Sequence, residues 1–189
     1  MELEQAAQAV ARWAEEGERT SPPSWQDLPS IPLYMDQVIL YLGENLKLFQ
    51  RDEDSSLLTS SMINNYVKTG LIPHPDKKKY TKEHLAGLMA ICMLKQVLSI
   101  QDMKTLFSQS DMTDETYELF RETHIAAVKE TCAALEETCR TGADLKRAAL
   151  LLAAEANAKR AAAERILCEL GREELKDGKK AKEAKGAKS

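Results

Sequence analysis

The chain has 189 residues, a formal charge of −4, 43% hydrophobic residues and only ten aromatics (three Phe, five Tyr and two Trp). That is enough apolar material for a soluble globular core, and with so few aromatics the core must come from Leu, Ile, Met, Val and Ala. Such a mix favours helices over sheets and predicts an all-α fold with at most a minimal β wing. No stretch approaches the ~18 apolar residues needed to span a bilayer, and the start MELEQAAQAVARW is acidic where a signal peptide is basic. A cytosolic protein with no membrane partner is expected.

Charge is unevenly spread. Residues 1–58 carry 4 basic and 11 acidic side chains (net −7), 59–107 carry 7 and 3 (net +4), 108–175 carry 9 and 14 (net −5), and 176–189 carry 6 and 2 (net +4). A basic island between acidic flanks suits a protein that meets a polyanion with one face.

Leu3 to Glu16 reads as a first helix, with Leu3, Ala6, Ala7 and Val10 on one side. TSPPSWQDLPSIP ends it, because prolines at 22, 23, 29 and 32 break helical hydrogen bonding and bias the residue before each towards extended backbone. Residues 1–30 are therefore read as a helix and a Pro-rich strap, with Trp25 as its anchor. From Tyr34 to Phe49 the residues Met35, Val38, Ile39, Leu42, Leu46 and Phe49 recur at helical spacing. An acidic connection, QRDEDSSLL, leads on to the next helix.

Thr59 to Thr69 is predicted as that helix, with Thr59 or Ser60 as N-cap and Gly70 as the left-handed stop before Leu71 and Pro73. Met62, Ile63, Tyr66 and Val67 share one face; Ser61, Asn64, Asn65 and Lys68 share the other, with donors and acceptors suited to base edges and phosphates. HPDKKKY then places Lys77, Lys78 and Lys79 in a short turn, a wing able to straddle a phosphate backbone. Thr81 caps a strongly apolar helix through Leu85, Leu88, Met89 and Cys92. Ser99 and Asp102 form a capping box for IQDMKTLF, with Met103, Leu106 and Phe107 turned inward.

These landmarks, in the order helix, Tyr, Gly-Leu-Ile-Pro, basic turn, Tyr-Thr-x-x-x-Leu, apolar helix and Ser-capped helix, resemble the winged helix-turn-helix of MerR-family transcription regulators. MINNYVKTGLI at Met62–Ile72, with Lys79-Tyr80 and LKQVLSI at Leu94–Ile100, is closer still to a bacterial domain family of unknown function that is itself considered MerR-like. The resemblance covers about residues 31 to 107 and implies a cytoplasmic, nucleoid-associated regulator that binds double-stranded DNA as a homodimer. It implies that Ser61, Asn64, Asn65 and Lys68 meet the major groove. Lys77, Lys78, Lys79 and Lys82 would hold phosphates, and Tyr66 would be shared between core and backbone contact. Asn64, Asn65 and Tyr66 fall where the MerR family usually has Arg-Tyr-Tyr, and Asn cannot replace an arginine fork as a charge.

Beyond 31–108, residues 109–175 read as a helical dimerisation or effector segment. A Thr113-capped helix has Leu119, Ala126, Cys132 or Ala133, Leu135 and Cys139 as its stripe. Gly142 breaks it, and an Ala-rich helix to about Leu170 follows with Leu145, Ala149, Leu152, Ala156, Ala163, Ile166, Leu167 and Leu170 available. The two are expected to form an antiparallel helical hairpin. The tail 176–189 is Lys/Ala/Gly-rich and expected to be disordered.

Catalysis is not expected, since there is no nucleophile elbow, phosphate-cradling Gly-rich loop or HExxH pair. No metal or cofactor is expected either. Cys132 and Cys139 lie about 10 Å apart along a helix axis, and the four cysteines, with no CxxC pair, read as reduced thiols. A histidine that caps or lines a turn is the expected role for His74 and His84.

Overall fold

The structure is a computed structural model that describes residues 2–50, 57–107, 112–142 and 144–186; within these, the side chains of residues 2, 3, 174 and 177–186 are not described. The acidic connection at 51–56 and the last three residues of the tail lie outside the described residues. Among the described residues the fold is all-helical: α1 (Glu2–Arg19), α2 (Met35–Asn45), α3 (Ser60–Lys68), α4 (Lys82–Leu94), α5 (Ile100–Phe107), α6 (Asp114–Thr141) and α7 (Leu145–Gly186), with a 3₁₀ turn at Lys47–Phe49.

The organising element is α4. Every residue from His84 to Cys92 is buried, so this helix is apolar around its whole circumference and must be enclosed. The core around it takes Val38 and Leu42 from α2, Ile63 and Tyr66 from α3, Met103 from α5 and Tyr117 from α6. One face of α2 is buried at the expected spacing, Val38, Leu42 and Leu46 fully and Met35, Ile39 and Phe49 in part. On α5 the expectation fails at Leu106, which is 45% exposed while Met103 is buried.

The strap is a structural clamp. Pro22 and Leu28 are its buried residues, Leu28 at 2% exposure, and Trp25 is half-buried with its ring 6.1 Å from that of Tyr117. Three hydrogen bonds tie the strap to α6: Tyr117 Oη donates to the Pro23 carbonyl at 2.8 Å, Arg121 Nε to the Pro22 carbonyl at 2.7 Å, and the Trp25 amide to the Glu118 carboxylate. Pro22 and Pro23 lack amide hydrogens but keep carbonyls, so at these two positions the strap accepts, while at Trp25 it donates.

The long helices pair differently from the expected hairpin. α6 lies along α1: Gly17 packs on Val128 and Cys132, while the Glu4–Arg12 stretch runs beside Glu136–Arg140, so the two are antiparallel. A Cβ at Gly17 would stand 2.5 Å from Cys132 Sγ, so only glycine allows this approach. Of the stripe expected for α6, Cys132 is buried and Leu135 and Cys139 are half-buried, but Ala126 is exposed and Leu119 is 68% exposed, and the helix's other buried residue is Tyr117. Among the described side chains of α7 only Leu167 is buried in the core, and the helix leans on α5, where Gly171 meets Thr105. Residues 176–186, expected to be disordered, continue α7 as helix. Their Lys, Ala and Glu content gives them high helix propensity, which overrides the low-complexity signal.

Candidate nucleic-acid interface

α3 is set by strong local signals at both ends. Thr59 Oγ1 accepts from the Met62 amide at 3.2 Å, satisfying a free N-terminal donor. At the other end Gly70 has φ 75°, and its amide donates to the Val67 carbonyl at 3.0 Å while Leu71 donates to Tyr66 at 2.9 Å. That is a Schellman stop with the apolar Leu71 tucked in behind it, buried. The caps fix the rotation of this nine-residue helix. Ile63 and Tyr66 are buried, Met62 and Val67 half-buried, and Ser61, Asn64, Asn65 and Lys68 exposed.

The basic turn folds as a minimal hairpin. Leu33 and Tyr80 exchange backbone hydrogen bonds at 2.9 and 2.8 Å, and the Lys79 amide donates to the Asp76 carbonyl at 2.8 Å. Lys77 and Lys78, the two residues at its tip, have φ of 47° and 64°. Both thus occupy the left-handed region that a type I′ hairpin turn demands and that Asn-Gly usually fills. Lys77, Lys78 and Lys79 are all exposed. Two lysines are steered by aromatic rings: Lys79 Nζ lies 5.6 Å from the centre of the Tyr34 ring, and Lys82 Nζ 5.7 Å from that of Trp25. Nothing in the sequence signalled these platforms, because the partners are distant in the chain and meet only when the strap closes.

Lys82 opens α4, where Thr81 and His84 bond reciprocally: the Thr81 amide donates to His84 Nδ1 at 3.1 Å. His84 is 8% exposed, and burial pushes its pKa below the ordinary histidine value, favouring the neutral ring. It caps the helix, as expected, and has no route to a phosphate. His74 is exposed.

One assigned site residue moves. Tyr66 is 4% exposed, and burial, with Cys92 nearby, raises its pKa above the usual tyrosine value. Its spacing with Met62 and Ile63 places the ring in the core, so the shared role on a phosphate backbone is corrected to a packing role. The other eight residues are at least partly exposed, on α3 (Ser61, Asn64, Asn65, Lys68), on the turn (Lys77, Lys78, Lys79) and at the start of α4 (Lys82). Among the described residues no group of three His, Cys, Asp or Glu side chains converges as metal ligands would. Nor is any described helix long and apolar enough to cross a membrane.

Comparison with known proteins finds no match among curated proteins and none among solved structures. A family model does match, from Pro23 in the strap to Val128 in α6. That span holds every member of the buried core cluster except Leu167, together with two of the strap's three bonds to α6; the third reaches Pro22, one residue before it. The chain belongs to the family described as Domain of unknown function (DUF1836), which accounts for residues 23–128.

Proposed function

We propose that the chain is a sequence-specific, MerR-like transcription regulator that binds duplex DNA as a dimer, with α3 in the major groove and the Asp76–Lys79 turn on the phosphate backbone. The observation that carries this reading is the division of α3 into a buried apolar face and an exposed Ser61, Asn64, Asn65 and Lys68 face, followed at once by an exposed lysine turn. Asn side chains pair bidentately with adenine, and lysines neutralise phosphates without reading sequence. The turn lysines would have to supply the charge that Asn64, at the usual arginine position, does not. The second copy would join through α7, whose Leu150, Leu151, Ile166 and Leu175 are each more than half exposed.

The test is selection from random duplexes at about 0.1 M salt, beside a Lys77/Lys78/Lys79→Ala variant. An enriched motif that the variant loses supports the reading, and affinity should then fall with a log–log salt slope of about −3.6 for four phosphate contacts. A second reading, an adaptor that keeps the fold without DNA binding, is favoured by the net −7 and −5 flanks on either side of the basic island. No enrichment, with both proteins behaving alike, would establish the adaptor instead.

A further inference from the structure

A cleft of about 910 Å³ opens behind the C-terminal turn of α3, between that turn, α4 and α5. This volume is within the usual range of small-molecule sites, roughly 300–1,000 Å³. Its apolar lining includes Leu71, Ile91, Phe107 and Met112. Ile91 is buried, as is all of α4 from His84 to Cys92, and Gly87 one turn earlier keeps the wall low: a Cβ there would press on Ile72 at 3.0 Å. Its polar lining is Thr69, the exposed His74, Glu83 and Lys104; of these Lys104 is the fixed cation, half-buried in the last turn of α5 and in no ion pair among the described residues. Glu83, the carboxylate on the rim, is exposed and accepts the Thr81 hydroxyl.

We infer that this cleft binds a small organic anion: an apolar, ring-sized body against Leu71, Ile91, Phe107 and Met112, with one acidic group on the Lys104 ammonium. A half-buried ammonium with no ion-pair partner among the described residues gains more from an anion than an exposed one does, because less water screens the pair. The rim carboxylate Glu83 disfavours a second anionic group. The occupant is therefore an apolar monoanion rather than a phosphorylated metabolite or a peptide. This site is independent of the DNA reading, since Lys104 is not among the proposed phosphate contacts.

The probe is 8-anilinonaphthalene-1-sulfonate, an aromatic monoanion, compared with N-phenyl-1-naphthylamine, the same ring system without the sulfonate. Both are titrated into the full chain, with the site located by amide shifts in ¹H–¹⁵N spectra. Saturable binding of the sulfonate is expected, with shifts at Gly70, Ile72, Ile91 and Lys104. The neutral analogue should bind about tenfold more weakly, the cost of a lost charged hydrogen bond. Lys104→Glu should lose the same factor and Lys104→Arg should keep the affinity, each variant first checked for wild-type helicity and Tm. Shifts confined to the exposed leucines of α7 would overturn the assignment. So would equal affinity for the two probes, or a Lys104→Glu variant that binds as the wild type does.

Discussion

Two histidines show how single residues register the fold's energetics. His84 is packed edge-on to Tyr80, and His124 lies against Phe49 and Phe120 with ring centres at 5.0 and 6.0 Å. Among the described residues neither Nε2 atom has a hydrogen-bond partner of ordinary geometry, although the Pro73 carbonyl beside His84 partly offsets its burial by favouring the charged ring. Burial is the leading cause that lowers both pKa values from the ordinary 6.5. The sign follows directly: when pH falls below about 6.5, the unfolded chain takes up protons that the folded chain resists, so folding stability falls with it. Above about pH 7 both states hold neutral rings and this dependence vanishes. Thermal unfolding at pH 7.5 and 5.5 should therefore give a lower Tm at the acid end, and a His84→Gln/His124→Gln variant should show a smaller difference between the two. An unchanged difference would place the pH sensitivity elsewhere. Glu83 does not confuse this window, because its Thr81 hydrogen bond lowers its pKa from an already acidic value.

At the scale of elements, α3 and the turn after it were the most legible parts of the chain, because their determinants are local. Thr59, Gly70 and the Met62/Ile63/Tyr66/Val67 spacing specify start, stop and rotation within a dozen residues. The pairing of α1 with α6 was not legible. It depends on the absence of a side chain at Gly17 opposite Cys132, more than a hundred residues away, and a glycine within a helical pattern reads only as a weak point. The Ala-rich α7 has propensity for helix but little contrast between faces, so its partner could not be read from periodicity. The hairpin tip lies between these cases: its charge was visible, its backbone was not. Lys77 and Lys78 hold left-handed φ values that cost an L side chain roughly 1 kcal/mol each or more. Replacing them by Asn-Gly relieves that strain and removes two charges while keeping the turn. The Lys77→Asn/Lys78→Gly variant should melt about 2–4 °C higher per kcal/mol gained. In the DNA reading it should also bind duplex more weakly, with a salt slope shallower by about 1.8. Equal affinity in a more stable protein would remove the turn from the interface.

Across the whole molecule, the core and the exposed apolar surface are assigned to different segments. The core cluster runs from Leu28 to Tyr117 and is closed by the strap's bonds to α6, with Leu167 as the buried contribution among the described side chains of α7 and Ala163 packed against it. α7 meanwhile carries Leu150, Leu151, Ile166 and Leu175 at 55–70% exposure, along a helix of 42 residues. An exposed apolar surface of that kind marks an interaction site more often than a solvated face. A chain ending at Gly142 separates the two roles. It loses the burial of Leu167, worth about 1.5–3 kcal/mol, and the Gly171–Thr105 contact, while α1 through α6 keep their packing. Such a chain should remain folded and cooperative, with a Tm several degrees lower. Sedimentation should show the full chain as a dimer and the shortened chain as a monomer. If the shortened chain still dimerises, the contact lies on the α1–α6 pair or the head, and the α7 leucines serve some other partner. If the full chain is itself monomeric at concentrations where it binds DNA, dimeric recognition by this route is excluded, and α3 would have to read a single half-site.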